Sequence, residues 1–343
     1  MNNKYGTEGA LDVYVKSAAL LRNDHILRLK KEALSKYNIY CVLAAERPII
    51  KNVNINKNIF EFDIRQNMNI FKNRFDIDEF FKSFDNNKII YTEDEICINL
   101  TEEDLNFNKS KNMQGFESFF EFSTFKKIKY QDPKFLAKLH LSADYYWLNN
   151  SLKNIKKMEF DLLYVGQSSA MFKRIHGHET IQKIQADYMY KYRNKNIYIL
   201  LLEIDTQIVM GMDGISDKTT NKINIKHIND LTEDIFSSPF NQIVNITEAM
   251  LIYHFKPFYN DKLKNNFPNR KHQSYQHYFD LDYESIFFEF YPGLSDFGTY
   301  EDFPMIKIST EKNSLSNVIT QGNIMYKLHN DKIRKSIFDI FKD

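Results

Sequence analysis

The sequence predicts an α+β protein of packed sheet and helix, and three observations carry that expectation. Hydrophobic residues make up 43% of the 343 positions and aromatics 15%, enough for a sizeable core. Glycine (10) and proline (7) are scarce, which excludes collagen-like and disordered classes. Helix-type and strand-type patterns both occur along the chain, and its length suits two ordinary domains or one large one.

Taken in order, residues 9–35 read as a helix, with Leu11, Val15, Ala18, Ala19, Ile26, Leu29 and Ala33 at helical spacing, although Arg22 interrupts the stripe. Residues 38–65 read as strands, because Tyr40, Val42, Val53, Ile55, Ile59, Phe60 and Phe62 alternate with the turn formers Pro48, Asn54, Asn56 and Asn58. Further on, residues 143–148 and 160–165 read as two strands of an antiparallel hairpin around an Asn/Lys-rich turn at 149–157. Gly166-Gln167-Ser168-Ser169 breaks the second strand, and a serine can cap a helix that runs through about His178. A second helix over about 180–193 leads to the apolar run 196–205, a buried third strand. Asn245 or Thr247 can cap a later helix that Pro257 stops, and a terminal helix is expected over 332–341.

Charge divides the chain more clearly than composition does. The whole carries +1, so any basic surface is local. Residues 61–104 hold twelve acidic and five basic side chains; residues 124–200 reverse this with fourteen basic against six acidic. A short basic stretch follows (Lys262, Lys264, Arg270, Lys271), and residues 279–305 then hold seven acidic residues and no basic one. These shifts suggest an N-terminal α/β domain (1–135), a basic middle domain (136–265) and an acidic and helical C-terminal extension (266–343). Cys41 and Cys97 are too few for a disulfide framework or a cysteine zinc site and read as buried thiols. The start lacks the pattern of a secretory signal, and no stretch is apolar enough to span a membrane, so a cytoplasmic location is expected.

Within the middle domain, Arg174 and His178 stand four apart on one helix face. Glu248 lies on the apolar stripe of its helix, with Leu251, Ile252 and Phe255 at +3, +4 and +7. A carboxylate there must be paired, protonated or metal-bound. His176 and His178, two apart, point about 200° away from each other and do not make a metal pair. Ser168 and Ser169 lack the Gly-x-Ser-x-Gly context of a nucleophile turn. Tyr188, Tyr190 and Tyr192 read as packing residues.

This set resembles the GIY-YIG nuclease superfamily. Tyr164-Val165-Gly166 looks like its second motif, Arg174 follows ten positions later and His178 four after that, and the Glu248, Pro257 and Asn260 spacing is similar to the family's closing helix. The first motif is represented by Ala143-Asp144-Tyr145 or Asp144-Tyr145-Tyr146. The resemblance covers about a third of the chain. It implies a small three-stranded antiparallel sheet flanked by helices, with one Mg²⁺ or Mn²⁺ on Glu248. The catalytic set would be Tyr145 or Tyr146, with Tyr164, Arg174, His178, Glu248 and Asn260. Lys153, Lys156, Lys157, Lys173, Gln167 and Ser168 would contact the nucleic acid.

Each part answers a physical need. A metal stabilises a leaving oxygen as a Lewis acid, and an arginine gives phosphate a fixed fork of donors. A tyrosine is a base only beside a cation and otherwise positions water, while Asn260 braces the turn or the site. The expected function is therefore metal-dependent endonuclease action on nucleic acid, DNA in preference to RNA, in restriction or phage defence, with a homodimer as one route to double-strand cuts. The other readings are a nucleic-acid-binding or regulatory module without turnover, and a protein–protein interaction factor.

Overall fold

The computed structural model describes residues 7–22, 31–56, 59–76, 90–91, 98–100, 119–130, 132–142, 158–192, 194–212, 225–237, 240–289, 306–309 and 323–328. They form a mixed α+β protein, as expected. The chain divides into two compact units, and neither is a continuous segment: Met1–Ala45, Ile155–Asp187 and Ile197–Asp343 make the first, Glu46–Asn154 with Tyr188–Asn196 the second. The expected boundaries at 135 and 265 are replaced by an excursion that leaves the first unit after residue 45 and returns before 155.

In chain order the strands of the first unit begin with β1 (Thr7–Arg22). The four-residue helix α1 (Lys31–Leu34) precedes β2 (Ile39–Glu46). The second unit contributes the meander β3 (Ile49–Asn56), β4 (Ile59–Gln66) and β5 (Asn69–Asp76). It also holds a second sheet made of β6 (Ile90–Tyr91), β7 (Ile98–Leu100), β8 (Phe119–Tyr130) and β9 (Asp132–Ser142). The chain then re-enters the first unit with β10 (Met158–Gln167), α2 (Met171–Gly177), α3 (Glu179–Lys191) and β11 (Lys195–Met212), the end of α3 and the start of β11 (Tyr188–Asn196) belonging to the second. Next come α4 (Ile225–Ser237), α5 (Phe240–Phe255), α6 (His277–Asp280), β12 (Ser285–Glu289), β13 (Ile306–Ser309) and β14 (Asn323–Lys327).

The first unit is organised on one seven-stranded mixed sheet in the order β13-β10-β2-β11-β1-β12-β14. Its first correction falls on residues 9–35, where a long strand stands in place of the expected helix. β1 pairs antiparallel with β11 and parallel with β12, so it is covered on both edges. Most of it is buried, Leu11, Asp12, Val13, Val15 and every residue from Ser17 to Leu20, with Tyr14 half-buried and Lys16 exposed where the pairing register shifts. A strand of that kind shows a near-continuous apolar run, which over a short window has no period to distinguish it from a helix.

The second correction concerns the hairpin. β10 pairs antiparallel with β2, placing Tyr40 opposite Gly166 and Val42 opposite Tyr164, and parallel with β13 on its other edge. Both edges are thus taken, over at least part of their length, by strands distant in sequence; the partner expected for β10 was residues 143–148. They lie outside the described residues, as do 149–157 and the expected terminal helix. Strand β11 is present as expected, but β2 lies between it and β10. The strands expected in 38–65 are found, and Cys41 is a buried free thiol as expected, its pKa pushed up to about 12 by burial.

Helix α5 packs against β10 and is buried on nearly every side, from Ile243 and Val244 through Met250 and Leu251 to Phe255. Its residues Asn245 and Thr247 lie inside the helix rather than at its cap; the Thr247 hydroxyl donates back to the Ile243 carbonyl at 2.7 Å. The helix ends where expected, before Pro257, with Lys256 at φ 51° and its N–H on the Ile252 carbonyl at 2.8 Å. Buried Asp234 accepts the Tyr283 hydroxyl at 2.9 Å and pairs with His277, which fastens α4 to the chain entering β12. Of the tyrosines expected to pack, Tyr188 is buried, whereas Tyr190 is 77% exposed and Tyr192 is at the surface.

Candidate functional site

The site is built where β10 deviates from regular pairing. The register between β10 and β2 slips between Leu162 and Tyr164, the signature of a β-bulge, which re-aims the side chain that follows it. Strand β13 covers β10 only from Met158 to Asp161, so the edge at residues 163–165 needs other partners. The segment after α5 supplies them. The Tyr259 N–H donates to the Leu163 carbonyl at 3.0 Å. The Asn260 side chain then acts as a substitute strand: its Oδ1 accepts the Val165 N–H at 2.9 Å and its Nδ2 donates to the Val165 carbonyl at 2.8 Å. Asn260 is 6% exposed, and its role is to hold the backbone on either side of Val165, as the sequence suggested in outline.

Gly166 then permits a close approach that no other residue would. A Cβ there would sit 2.5 Å from Cζ and Oη of Tyr40 and 2.7 Å from Cε1 of Tyr164. The two phenol rings close over the bare backbone with centroids 6.0 Å apart. His178 stands against both, 5.3 Å from the Tyr164 ring and 6.1 Å from the Tyr40 ring. Arg174, on α2, donates its Nε to the Tyr40 hydroxyl at 3.3 Å and also hydrogen-bonds Tyr164, while the residue as a whole stays exposed.

Glu248 reaches the same place from α5. Its carboxylate accepts hydrogen bonds from the side chain and the backbone of Gln167, and the Arg174 charge acts on it. Gln167 is itself held by its Nε2 donating to Asn245 Oδ1. Burial outweighs these partners and pushes the Glu248 carboxyl up to about 7. Burial likewise raises both phenols, Tyr164 further by the nearby Glu248 carboxylate. His178 is shifted down by burial and then by the Arg174 charge, so it favours the neutral ring.

That ring is oriented. His178 Nδ1 accepts the Thr180 N–H at 3.0 Å, which leaves the ring proton on Nε2. Nε2 is buried and has no partner among the described residues, in a side chain 7% exposed. His178 terminates α2 rather than lying within it. It is therefore a fixed donor facing the phenols, not a base. His176, by contrast, turns its Nδ1 back to the Phe172 carbonyl at 2.7 Å.

Among the expected residues, Tyr164, Arg174, His178, Glu248, Asn260 and Gln167 thus converge. Ser168 does not cap α2, whose N-cap is Ala170 with no side-chain bond; its hydroxyl accepts the Ala170 N–H at 2.9 Å instead. Lys173 is exposed on α2. Tyr145, Tyr146, Lys153, Lys156 and Lys157 lie outside the described residues. Beside Tyr164 the structure brings Tyr40 from the paired strand β2, a residue that sequence reasoning assigned only to a strand. A signal was there: Asn38-Ile39-Tyr40 opens an apolar run and matches Gly-Ile-Tyr at two of three positions.

No group of three or more histidine, cysteine, aspartate or glutamate side chains suited to a metal occurs among the described residues. The donor set at the site is instead one carboxylate, two phenols, an imidazole N–H and a guanidinium. Comparison with protein-family models, characterised proteins and solved structures returns no match.

Proposed function

We propose that the chain is a phosphodiester hydrolase of the GIY-YIG type, cutting within nucleic acid, DNA in preference to RNA. The observation that supports this reading best is the meeting of Tyr40, Tyr164, Arg174, His178 and Glu248 from separate elements around a glycine that only their rings require. Four of the five are residues that the family resemblance names, and Tyr40 supplies the fifth from a strand paired to Tyr164's own.

The donor set fits one hard divalent ion. Glu248 is the buried carboxylate at the cluster among the described residues, and its burial disfavours a bare charge, which a cation would offset. Mg²⁺ tolerates such a site because it keeps water and substrate phosphate as most of its ligands; Mn²⁺ fits the same description. When bound it would supply Lewis-acid stabilisation of the leaving oxygen.

The protein's own groups divide the remaining work. Tyr40 is 0% exposed and cannot meet solvent; its hydroxyl holds the Arg174 guanidinium in place. Tyr164 is half-buried and is the phenol that orients the attacking water. Arg174 turns its remaining N–H groups to phosphate oxygens. His178, its ring fixed by the Thr180 N–H and its Nε2 buried, packs against both phenols and sets where they stand.

Incubating supercoiled plasmid with the chain and Mg²⁺ or Mn²⁺ tests the reading. Cleavage is expected, with Glu248→Gln and Arg174→Ala each slowing it by about 10² or more. Cleavage indifferent to Glu248→Gln, or none with any divalent ion, overturns it.

A further inference from the structure

The segment that braces the site strand is also basic in composition. Between Lys256 and Lys271 the chain carries Lys256, Lys262, Lys264, Arg270 and Lys271 against a single acid, Asp261. Lys264 turns its Nζ back to the Phe258 carbonyl at 3.0 Å. Lys256 lies over the Tyr253 ring at 5.7 Å; it, Lys262, Arg270 and Lys271 form no ion pair among the described residues, and each is exposed. An ordinary solvated surface intersperses the two signs; this one does not.

At its start stands Phe258, 56% exposed. Exposure of a large ring is unremarkable on a loose loop, but here the backbone is fixed on both sides. Pro257 is buried before it. After it, Tyr259 donates its N–H to Leu163 and its hydroxyl to Asp187 at 2.7 Å, and Asn260 clamps Val165. The Phe258 and Tyr259 rings meet at 83° with centroids 5.0 Å apart, and Phe258 keeps more than half of its surface exposed.

We propose that Lys256–Lys271 is a nucleic-acid docking surface, in which Lys256, Lys262, Arg270 and Lys271 track phosphates and Phe258 stacks on an unpaired base. Cations alone would suit any polyanion; a rigid exposed ring among them suits single-stranded nucleic acid, because every base offers a π-face on which an aromatic ring can stack. The inference deepens the nuclease reading by naming how substrate is held. It takes that reading only for the purpose of binding, since the surface stands on its own residues.

The test is fluorescence anisotropy of a short labelled oligodeoxynucleotide, single-stranded or duplex, with the full chain in EDTA, where hydrolysis cannot interfere. The expected result for Lys256→Gln, Lys262→Gln, Arg270→Gln and Lys271→Gln combined is a slope of log K against log salt shallower by about 3. Phe258→Ser is expected to weaken single-strand binding about tenfold and leave duplex binding unchanged. Thermal melting checks that both variants fold. An unchanged slope, an unchanged single-strand affinity in Phe258→Ser, or equal competition by polyglutamate overturns the inference. Plasmid cleavage run in parallel separates the two ideas: a chain that cuts but binds independently of this segment loses only the docking surface, and one that binds through it without cutting loses only the nuclease.

Discussion

Gly166 shows how one missing methyl group governs the site. Alanine there would place a carbon 2.5 Å from the Tyr40 hydroxyl and 2.7 Å from the Tyr164 ring, and neither ring can retreat far, since Tyr40 is wholly buried. Overpacking of this kind costs about 1–3 kcal/mol. Gly166→Ala is therefore expected to lower the thermal midpoint by several degrees and to abolish cleavage, because the phenols it separates are the ones that hold Arg174. Scanning calorimetry and the plasmid assay measure the two effects. Glu248 makes a different prediction, one that depends on pH. Its carboxyl ionises near 4.5 when unfolded and near 7 when folded, raised chiefly by burial. The folded chain then holds the proton more tightly, so this contribution to stability is full below about 4.5 and is lost as pH rises through about 7. Glu248→Gln stays neutral, so its stability relative to the native chain should grow from pH 4.5 to 7 and level off above. Adding Mn²⁺ at pH 8 should raise the melting point of the native chain and leave that of the variant unmoved. A gap that does not change with pH would show that the carboxylate lies in water.

Elements, not individual side chains, set where these groups meet, and the edge of β10 is the decisive one. Where β13 stops, the backbone at Val165 would lack both of its outer hydrogen bonds, and the Asn260 amide provides the pair. Asn260→Ala leaves a buried N–H and a buried carbonyl unpaired, each costing about 1–3 kcal/mol. Asn260→Asp keeps the acceptor and loses the donor, so it should fall between the two in urea denaturation, with the loss of cleavage following the same order. Much of this arrangement was readable in the sequence because it is local. Tyr164-Val165-Gly166, the Arg174–His178 spacing and the Glu248-to-Asn260 interval each lie within one turn, helix or short connection. For Tyr40 the Ile39-Tyr40 pair was the one local signal, and its partnership with Tyr164 had none, because pairing of strands so far apart in sequence leaves no periodic trace. The first strand was misread for a related reason: a bulge between Val15 and Ser17 cuts short the alternation of Leu11, Val13 and Val15, and Ala18 to Leu21 then runs on as a continuous apolar stretch. The bulge at Leu163, which aims Tyr164, is a property of register and has no sequence signature of its own here.

At the scale of the molecule, the site belongs to a unit interrupted between its two pairing strands, and loop-closure physics explains why that is tolerated. Entropy lost on closing a connection rises only about 0.6 kcal/mol per doubling of its length, so the β2–β10 pair survives an insertion running from Glu46 to Asn154. What pairing requires is that both strands be present. The segment 136–265, which charge and motif alone would isolate as the catalytic domain, lacks β1 and β2, the two neighbours of β11, and with them Tyr40. Expressed by itself it should show no cooperative unfolding transition and no cleavage. A chain in which residues 48–156 are replaced by a short glycine-rich turn should do the opposite. It keeps Ala44 opposite Asp161 and retains Arg47, whose N–H bonds the Asn194 carbonyl at 2.7 Å and whose Nε bonds Asn196 Oδ1 at 2.9 Å. Its near-ultraviolet circular dichroism and thermal transition should match a folded sheet, and cleavage should persist and still depend on Glu248. If the shortened chain unfolds while the 136–265 fragment folds, then β2 is not the strand that completes the site, and the pairing of Tyr40 with Tyr164 is not what positions the chemistry.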